Sequence, residues 1–224
     1  MGRNRRDIDL YIGMLRSATV YLERHIDAVN FLNVFPVPDG DTGTNMVKTL
    51  RGIHTRVSLE NPDTLQELSV LVKDAALYEG RGNSGVILSQ VFIGVNDGIR
   101  ACQDVDASML AAALTSARDK AYQAVSQPVE GTILTVLKQV AEEATIQSHS
   151  SPNICQLFDH IVKVASTSVD RTPEQLPILE QGGVVDSGGY GLELILRGMA
   201  IFLNGEDPET APLQWRFARK NGEG

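Results

Sequence analysis

The sequence is poor in cysteine, in strand signals and in long apolar runs. Its 224 residues include two cysteines, Cys102 and Cys155, which lie far apart and form no CxxC pair. A disulfide framework and a structural zinc site are therefore not predicted. The apolar run at 31–37 is the best strand candidate, but Pro36 and Pro38 cannot donate ladder hydrogen bonds. We interpret that run as a rigid extended segment.

An excess of positive charge is also missing. The formal net charge is −8 and the pI is near 5.0, which argues against general binding to nucleic acid or to anionic membranes, because both are themselves negative. The first residues are basic, but Asp7, Asp9, Arg16 and Glu23 make this segment too charged for a signal peptide or a membrane span. We therefore expect a cytoplasmic protein with no membrane span, in which a phosphate ligand would need the help of a metal ion.

Helical periodicity runs through the chain. Apolar residues recur at i, i+3, i+4 and i+7 in eight segments, near residues 10–26, 44–57, 63–78, 84–100, 106–126, 132–147, 154–165 and 192–203. With 42% hydrophobic residues, the chain can bury a sizeable core. The pattern predicts an all-α fold of about eight helices.

An acidic loop precedes the second of these segments. Asp39 and Asp41 lie two residues apart on a loop stiffened by proline and glycine, just before a predicted helix start. Carboxylate oxygens are the ligands that Mg²⁺ prefers, and the positive end of a helix attracts an anion. The loop therefore predicts a site for a hard cation and a phosphate group.

Three more glycine-rich stretches, at 80–85, 130–132 and 182–189, also precede predicted helices. Glycine permits close approach to a ligand, and a neighbouring Thr, Asn, Ser or Asp caps the helix or binds phosphate. In an antiparallel bundle, alternate loops fall at one end, so the four helix starts would surround one nucleotide. Taken singly, each stretch is better explained as a turn with an N-cap; four of them in one helical chain favour the nucleotide site. Arg81 is a candidate catalytic residue that would pair with phosphate, or else a solvated surface arginine.

Several well-known motifs are absent or out of context. No GxxxxGK[ST] sequence occurs, and the GxGxxG match at Gly80, Gly82 and Gly85 follows a predicted helix instead of a strand. A calcium loop starting at Asp39 would place Leu50 where its bidentate glutamate belongs. The Asp39–Thr42 run imitates the nucleophile loop of aspartyl-phosphate phosphatases, which requires a surrounding α/β sheet. Neither HExxH nor GxSxG occurs beside the four scattered histidines.

Four blocks, in order, resemble a known family. They are residues 33–46 (NVFPVPDGDTGTNM), 80–90 (GRGNSGVILSQ), 128–135 (PVEGTILT) and 183–189 (GVVDSGG). They are similar to the nucleotide-binding N-terminal domain of the bacterial fatty acid kinases, which is related to the ATP-binding L domain of dihydroxyacetone kinase. The resemblance covers about residues 5–205. It implies an antiparallel eight-helix barrel whose loops at one end hold ATP or ADP and two Mg²⁺ ions.

The resemblance also implies roles for single residues. Asp39 and Asp41 fall on the metal-binding aspartates, which makes them candidate catalytic residues as well. Asn33 stands near the third aspartate of the dihydroxyacetone kinases, with a one-residue difference in spacing; it is a candidate metal ligand, although an amide oxygen brings no charge. That difference disfavours a sugar kinase. The candidate nucleotide-binding residues are Thr42, Gly43, Thr44, Asn45, Asn83, Ser84, Gly85, Thr132 and Asp186, with Glu130 and Ser187 nearby.

The predicted reaction is transfer of the γ-phosphoryl group of ATP to the carboxylate of a fatty acid, giving an acyl phosphate. In the family, a separate fatty-acid-binding protein presents the acyl chain. A carboxylate, with a pKa of roughly 4, is already ionised at neutral pH and needs no general base. Two alternatives stay open: a kinase of a small polyol such as dihydroxyacetone, and a non-catalytic nucleotide-binding interaction module.

The end of the chain differs in composition from the rest. Residues 206–212 are polar and contain two prolines, as linkers do. We therefore expect an ATP- and Mg²⁺-binding kinase domain at 1–205 and a linker or tail at 206–224. Family members usually continue into further domains, through which a homodimer is a possible assembly.

Overall fold

The computed structural model describes residues 3–100, 106–149 and 153–216. Within these ranges the chain forms helices and no strand. The helices are α1 (Arg3–Glu23), α2 (Ile26–Phe31), α3 (Thr42–Glu60), α4 (Leu65–Glu79), α5 (Gly82–Arg100), α6 (Ala107–Ala124), α7 (Ile133–Ser148), α8 (Ile154–Asp170), α9 (Thr172–Gln175), α10 (Pro177–Gly182) and α11 (Ser187–Leu203). The eight long ones match the eight periodic segments, so the predicted all-α fold is confirmed.

The eight long helices form a closed ring. In chain order α1 packs on α3, α3 on α4, α4 on α5, α5 on α6, α6 on α7, α7 on α8 and α8 on α11, which returns to pack on α1. Neighbouring helices run in opposite directions, since each long helix is followed, across a loop or one or two short helices, by its neighbour in the ring. The helices α3, α5, α7 and α11 therefore begin at the same end of the barrel, as the antiparallel arrangement predicts.

Side-chain caps define the starts of five of the long helices. The capping residues are Thr64 for α4, Asp106 for α6, Thr132 for α7, Asn153 for α8 and Asp186 for α11. Each accepts a hydrogen bond from a backbone N–H that has no partner within its own helix. These caps depend on residues next to the helix in sequence, which is why the helix starts are readable from the sequence.

Apolar side chains fill the interior of the ring, and small residues let some helices approach closely. At Gly94 and Gly98 of α5, a Cβ atom would lie 2.4 Å from the Cα of Ala117 and Ala113 in α6. The two helix backbones therefore touch along this seam. Among the helices in the described part of the chain, none is both long and apolar enough to cross a bilayer.

The segment after α11 folds back along the outside of the barrel. The Tyr21 hydroxyl donates to the Pro212 carbonyl at 2.8 Å, and the Gln214 N–H donates to His25 Nε2 at 3.0 Å. The Arg216 guanidinium pairs at 2.7 Å with the buried carboxylate of Glu193 in α11. Residues 217–224 of the predicted tail lie outside the described residues, as does Cys102, and the domain boundary at 205 stays a prediction.

Candidate functional site

A cavity of about 580 Å³ opens at the end of the barrel where α3, α5, α7 and α11 begin. Its walls come from all four of the glycine-rich stretches. Of the predicted site residues, the cavity brings together Asn33, Asp39, Asp41, Thr42, Asn83, Ser84, Thr132 and Asp186, and also Gly82, Ser187 and Gly188. Packing between distant parts of the chain has thus assembled one polar site from four separate loops.

The two carboxylates of the acidic loop are free. Asp39 is exposed and Asp41 is half-buried at the cavity wall. Within the described residues, neither side chain takes part in a hydrogen bond or an ion pair, and Asp41 does not cap α3 although it is the N-cap residue by position. Two unpaired carboxylates beside one cavity suit Mg²⁺, which is usually held by one or two carboxylates while phosphates and water complete its coordination. Among the described residues, this loop included, no group of three or more His, Cys, Asp or Glu side chains is placed to hold a metal, so a cation here would depend on these two carboxylates together with its other ligands.

Two asparagines, not the aspartates, close the start of α3. Asn33 Oδ1 accepts hydrogen bonds from the N–H groups of Asp41 and Thr42 at 3.2 and 3.3 Å. Asn30 Oδ1 accepts from the N–H groups of Gly43 and Thr44 at 2.8 and 3.2 Å. The N–H groups predicted to receive a phosphate are therefore already satisfied by protein.

Asn33 is also engaged through its amide nitrogen. Nδ2 donates to the carbonyl of Val37 at 3.0 Å, and the side chain is 6% exposed. An oxygen that accepts two backbone N–H bonds holds the loop in shape and is poorly disposed to ligate a cation. These contacts make Asn33 an organiser of the loop, while its role as a metal ligand stays a prediction.

The start of α5 is different, because it remains open. Within the described residues, no side chain accepts a hydrogen bond from the N–H groups of Gly82, Asn83 or Ser84, and all three residues line the cavity. Gly82 has φ +60°, and a Cβ atom there would lie 2.3 Å from the amide nitrogen of Asn45. Glycine at this position therefore lets the chain enter the helix while its first N–H groups stay accessible to an anion.

The starts of α7 and α11 meet at Asp186. Its Oδ2 accepts from the Gly189 N–H at 2.7 Å, and its carboxyl group is also bonded by the backbone of Ile133 at the start of α7. Burial raises the pKa of Asp186 to about 6, against the lowering effect of those two hydrogen bonds. Ser187 next to it donates to the Thr42 hydroxyl at 3.2 Å, which ties α11 to α3.

The remaining predicted residues do not line the cavity. Gly43 and Gly85 serve packing, since a Cβ atom would lie 2.8 Å from the Ile26 carbonyl at the first and 2.6 Å from the Thr49 hydroxyl at the second. Thr44 receives a hydrogen bond from Asn30 at 3.0 Å, and Asn45 lies behind Gly82. The Arg81 guanidinium donates to the carbonyl of Tyr78 at 2.8 Å, at the end of α4. It therefore satisfies a helix C-terminus on the exposed surface.

Sequence reasoning missed the apolar half of the cavity. This half contains Phe35, Val86, Ile87, Val125, Val129 and Leu134, and it is continuous with Ser126 and Gln127. The loop at 125–132 is held by Glu130, which accepts hydrogen bonds from the Tyr122 hydroxyl at 3.0 Å and the Thr135 hydroxyl at 2.7 Å. The apolar residues carry no signature of their own, because the same types line every buried helix face.

Comparison with known proteins agrees with this architecture. Protein YloV of Bacillus subtilis is 42% identical over 201 residues, which are 89% of this chain and 36% of YloV. An uncharacterized protein of Staphylococcus saprophyticus is 38% identical over 200 residues, again 89% of this chain and 36% of the relative. The chain thus spans little more than a third of the length of these curated relatives.

Solved structures share the fold. The dihydroxyacetone kinase of C. freundii, in complex with AMP-PNP and Mg²⁺, superposes with a TM-score of 0.62 at 19% identity, over 84% of this chain and 33% of that one. Its native form gives the same TM-score at 20% identity, over 86% of this chain and 34% of that one. The DAK2 domain matches residues 36–201, which include the acidic loop, all four helix starts and most of the ring. The chain therefore belongs to the DAK2 domain family.

Proposed function

We propose that this domain is a Mg²⁺-dependent kinase domain that binds ATP in the cavity at the open end of the barrel. One observation carries the proposal: two unpaired carboxylates, Asp39 and Asp41, stand at the wall of a cavity that also contains the open start of α5. The carboxylates would hold Mg²⁺, and the N–H groups of Gly82, Asn83 and Ser84 would receive the phosphates. Membership of the DAK2 family, and the AMP-PNP and Mg²⁺ in the C. freundii kinase, support this assignment.

The two halves of the cavity suit the two halves of a nucleotide. In the polar half, the Thr42 hydroxyl accepts from Ser187 and would donate its own hydrogen to a phosphate oxygen, whereas the apolar half would cover the adenine ring. When bound, Mg²⁺ neutralises charge on the β- and γ-phosphates. The chain's own contribution is then to position these groups, because phosphoryl transfer asks a protein mainly for alignment and charge neutralisation. We propose that two Mg²⁺ ions bind in this way.

We further propose a fatty acid carboxylate, presented by a separate lipid-binding partner, as the phosphoryl acceptor. No histidine lies among the described residues that line the cavity, whose ionisable side chains are the carboxylates of Asp39, Asp41 and Asp186. A carboxylate acceptor is ionised at neutral pH and dispenses with a general base, whereas a sugar hydroxyl has a proton to lose. Asn33, in place of a third aspartate, also disfavours the sugar kinases.

A small polyol is the second candidate acceptor, because the superposed structure is a dihydroxyacetone kinase. The test supplies ATP and Mg²⁺ to this chain, and in parallel to full-length YloV, with either dihydroxyacetone or a fatty-acid-loaded lipid-binding protein. Hydroxylamine traps an acyl phosphate as a hydroxamate, which we expect with the lipid-loaded protein alone. Asp39→Asn and Asp41→Asn should abolish the product while leaving the helical circular dichroism unchanged.

The other outcomes are equally informative. Turnover with dihydroxyacetone alone would replace the fatty acid by a polyol as acceptor. Binding of ATP and Mg²⁺ with no turnover on either acceptor, in both proteins, would favour a non-catalytic nucleotide-binding module. A product that survives both aspartate substitutions would remove the metal site from this loop.

A further inference from the structure

Asp41 occupies the N-cap position of α3 but does not cap it. An aspartate at this position ordinarily accepts a hydrogen bond from the N–H group two or three residues later. Here those groups belong to Gly43 and Thr44, and both donate instead to Oδ1 of Asn30, at 2.8 and 3.2 Å. The cap of α3 is therefore supplied by another helix.

Asn30 reaches this position because α2 packs directly on the first turn of α3. The absence of a side chain at Gly43 makes the approach possible, since a Cβ atom there would lie 2.8 Å from the Ile26 carbonyl. Asn30 Nδ2 donates to the Thr44 hydroxyl at 3.0 Å, which fixes the orientation of the amide and turns its oxygen toward the helix. Three hydrogen bonds therefore hold one amide across the start of α3.

We propose that Asn30 is a positioning residue for the metal site: it takes over the capping of α3 and so leaves the carboxylate of Asp41 directed to the cavity. The inference rests on the proposed function, which makes Asp41 a Mg²⁺ ligand. A single carboxylate that bonded the N–H groups of Gly43 and Thr44 would point into the helix start. A neutral amide satisfies those groups and adds no charge that would compete for the cation.

Calorimetric titration of the chain with Mg²⁺ and ADP tests the role at the metal. In Asn30→Ala, the Asp41 side chain is free to turn back and cap α3, and we expect the dissociation constant for Mg²⁺ to rise roughly 10- to 100-fold, as for other residues that orient metal ligands. Asn30→Asp keeps an oxygen acceptor for the two N–H groups but adds a charge that competes for the cation, so it should restore only part of the affinity. An unchanged dissociation constant in Asn30→Ala would overturn the proposal.

The matched control lies at the other end of the barrel. Asn153 Oδ1 also accepts from two backbone N–H groups, those of Cys155 and Gln156, at the start of α8. Asn153→Ala removes a comparable cap and should leave Mg²⁺ affinity within twofold of the original protein. A similar loss of affinity in this control would assign the effect to general destabilisation and count against Asn30.

A second measurement needs no ligand. Thermal unfolding of Asn30→Ala, Asp41→Ala and the double variant should show a small decrease of Tm for each single change, because one capping group remains available. The double variant should lose more than the sum of the two, because α3 then has neither cap. Additive losses would show that Asp41 does not replace Asn30, and would overturn the proposal.

The two measurements separate the failure of this inference from failure of the proposed function. A chain that binds neither ADP nor Mg²⁺ would sink the proposed site, and the unfolding data would still decide whether Asn30 keeps Asp41 from the helix. Tight binding that is indifferent to Asn30, together with additive unfolding data, would sink this inference alone.

Discussion

At the scale of single residues, the site separates amide groups from carboxylates by function. Asn30 and Asn33 hold the acidic loop and the first turn of α3, whereas Asp39 and Asp41 make no bond to protein through their side chains within the described residues. Asp186 is the exception, because its carboxyl group is buried and caps α11. Burial disfavours the charged form of a carboxyl group, which is why the pKa of Asp186 is raised.

The stability of the protein should therefore depend on Asp186 and pH. Its pKa is raised from 3.8 to about 6 in the folded state, so the folded chain holds this proton more tightly than the unfolded chain. The contribution of Asp186 to the free energy of unfolding is favourable below pH 3.8, and it is lost as the pH rises through 6. The Asp186→Asn variant has no carboxyl group at this position and should not lose that stability. Measured by urea unfolding, its free energy of unfolding should rise by up to about 3 kcal/mol relative to that of the original protein between pH 4 and 7.

Asp106→Asn is the control for that comparison, because Asp106 also caps a helix but is exposed. It should show no comparable gain between pH 4 and 7. A difference between the original protein and Asp186→Asn that is constant with pH would mean that the carboxyl group of Asp186 does not titrate in this range.

At the scale of elements, the ring depends on close seams and on the segment that crosses α11. In the seam between α1 and α11, the Ser17 hydroxyl donates to the Gly198 carbonyl at 2.6 Å. The returning segment 206–216 then covers the outer face of α11, and Arg216 neutralises the buried Glu193. Helix α11 is therefore held from both sides, close to the end where it begins at the cavity.

Acidification should loosen the returning segment. The Gln214 N–H donates to His25 Nε2, so this nitrogen carries no proton and Nδ1 donates to the Tyr21 carbonyl. Burial lowers the pKa of His25 below 6.5; the hydrogen bond to the Tyr21 carbonyl and the charge of Glu193 oppose this shift, whereas the charges of Arg24 and Arg197 add to it. Protonation of His25 therefore destabilises the folded chain. The free energy of unfolding is unaffected by His25 above pH 6.5 and decreases as the pH falls through the folded-state pKa.

Trp215 reports this change, because it is the one tryptophan in the sequence and its ring lies 6.3 Å from the His25 ring. We expect its fluorescence to shift between pH 7.5 and 5, and the shift to disappear in His25→Gln, whose amide oxygen accepts a hydrogen bond at either pH. The same shift in His25→Gln would assign it to a different titrating group.

The α1–α11 seam should be intolerant of a single added methyl group. In Gly198→Ala the new Cβ would lie 2.6 Å from the Cα of Ala18, so the two backbones must separate, at a cost of about 1–3 kcal/mol. In Gly13→Ala the three atoms nearest to the new one all belong to the ring of Phe202, which is 36% exposed and can turn away. Urea unfolding should show a larger loss for the first change, and equal losses would contradict backbone contact as the cause.

At the scale of the whole molecule, the cavity forms only when the complete ring of helices is folded. Its walls come from α3, α5, α7 and α11, and the ring is complete only when α11 packs on α1. A ligand that bridges these walls binds the folded chain and not the unfolded one. Binding should therefore stabilise the whole barrel, in proportion to the logarithm of ligand concentration.

Thermal unfolding with ADP and Mg²⁺ checks this expectation. At a ligand concentration one hundred times the dissociation constant, the stability should rise by about 2.7 kcal/mol. Removal of Mg²⁺ with EDTA should cancel most of the gain, because Asp39 and Asp41 would then face the phosphates with no cation between them. Equal stabilisation by ADP with and without Mg²⁺ would argue against a bridging metal.

The sequence alone determined the features that rest on local interactions. The periodic segments and the capping residues beside them predict the eight long helices, and the Asp39–Asp41 loop marks the acidic part of the site. These signals are local, since each helix and each cap involves residues a few positions apart.

The tertiary structure decided which of the four helix starts remains open. Asn30 closes α3 from thirteen positions away, Asp186 links α7 with α11, and only packing shows that Gly82 leaves α5 accessible. Arg81 likewise turned to the end of α4 instead of the cavity. A hydrogen bond between distant residues depends on how helices are placed relative to one another, and the pattern of any one segment does not contain that information.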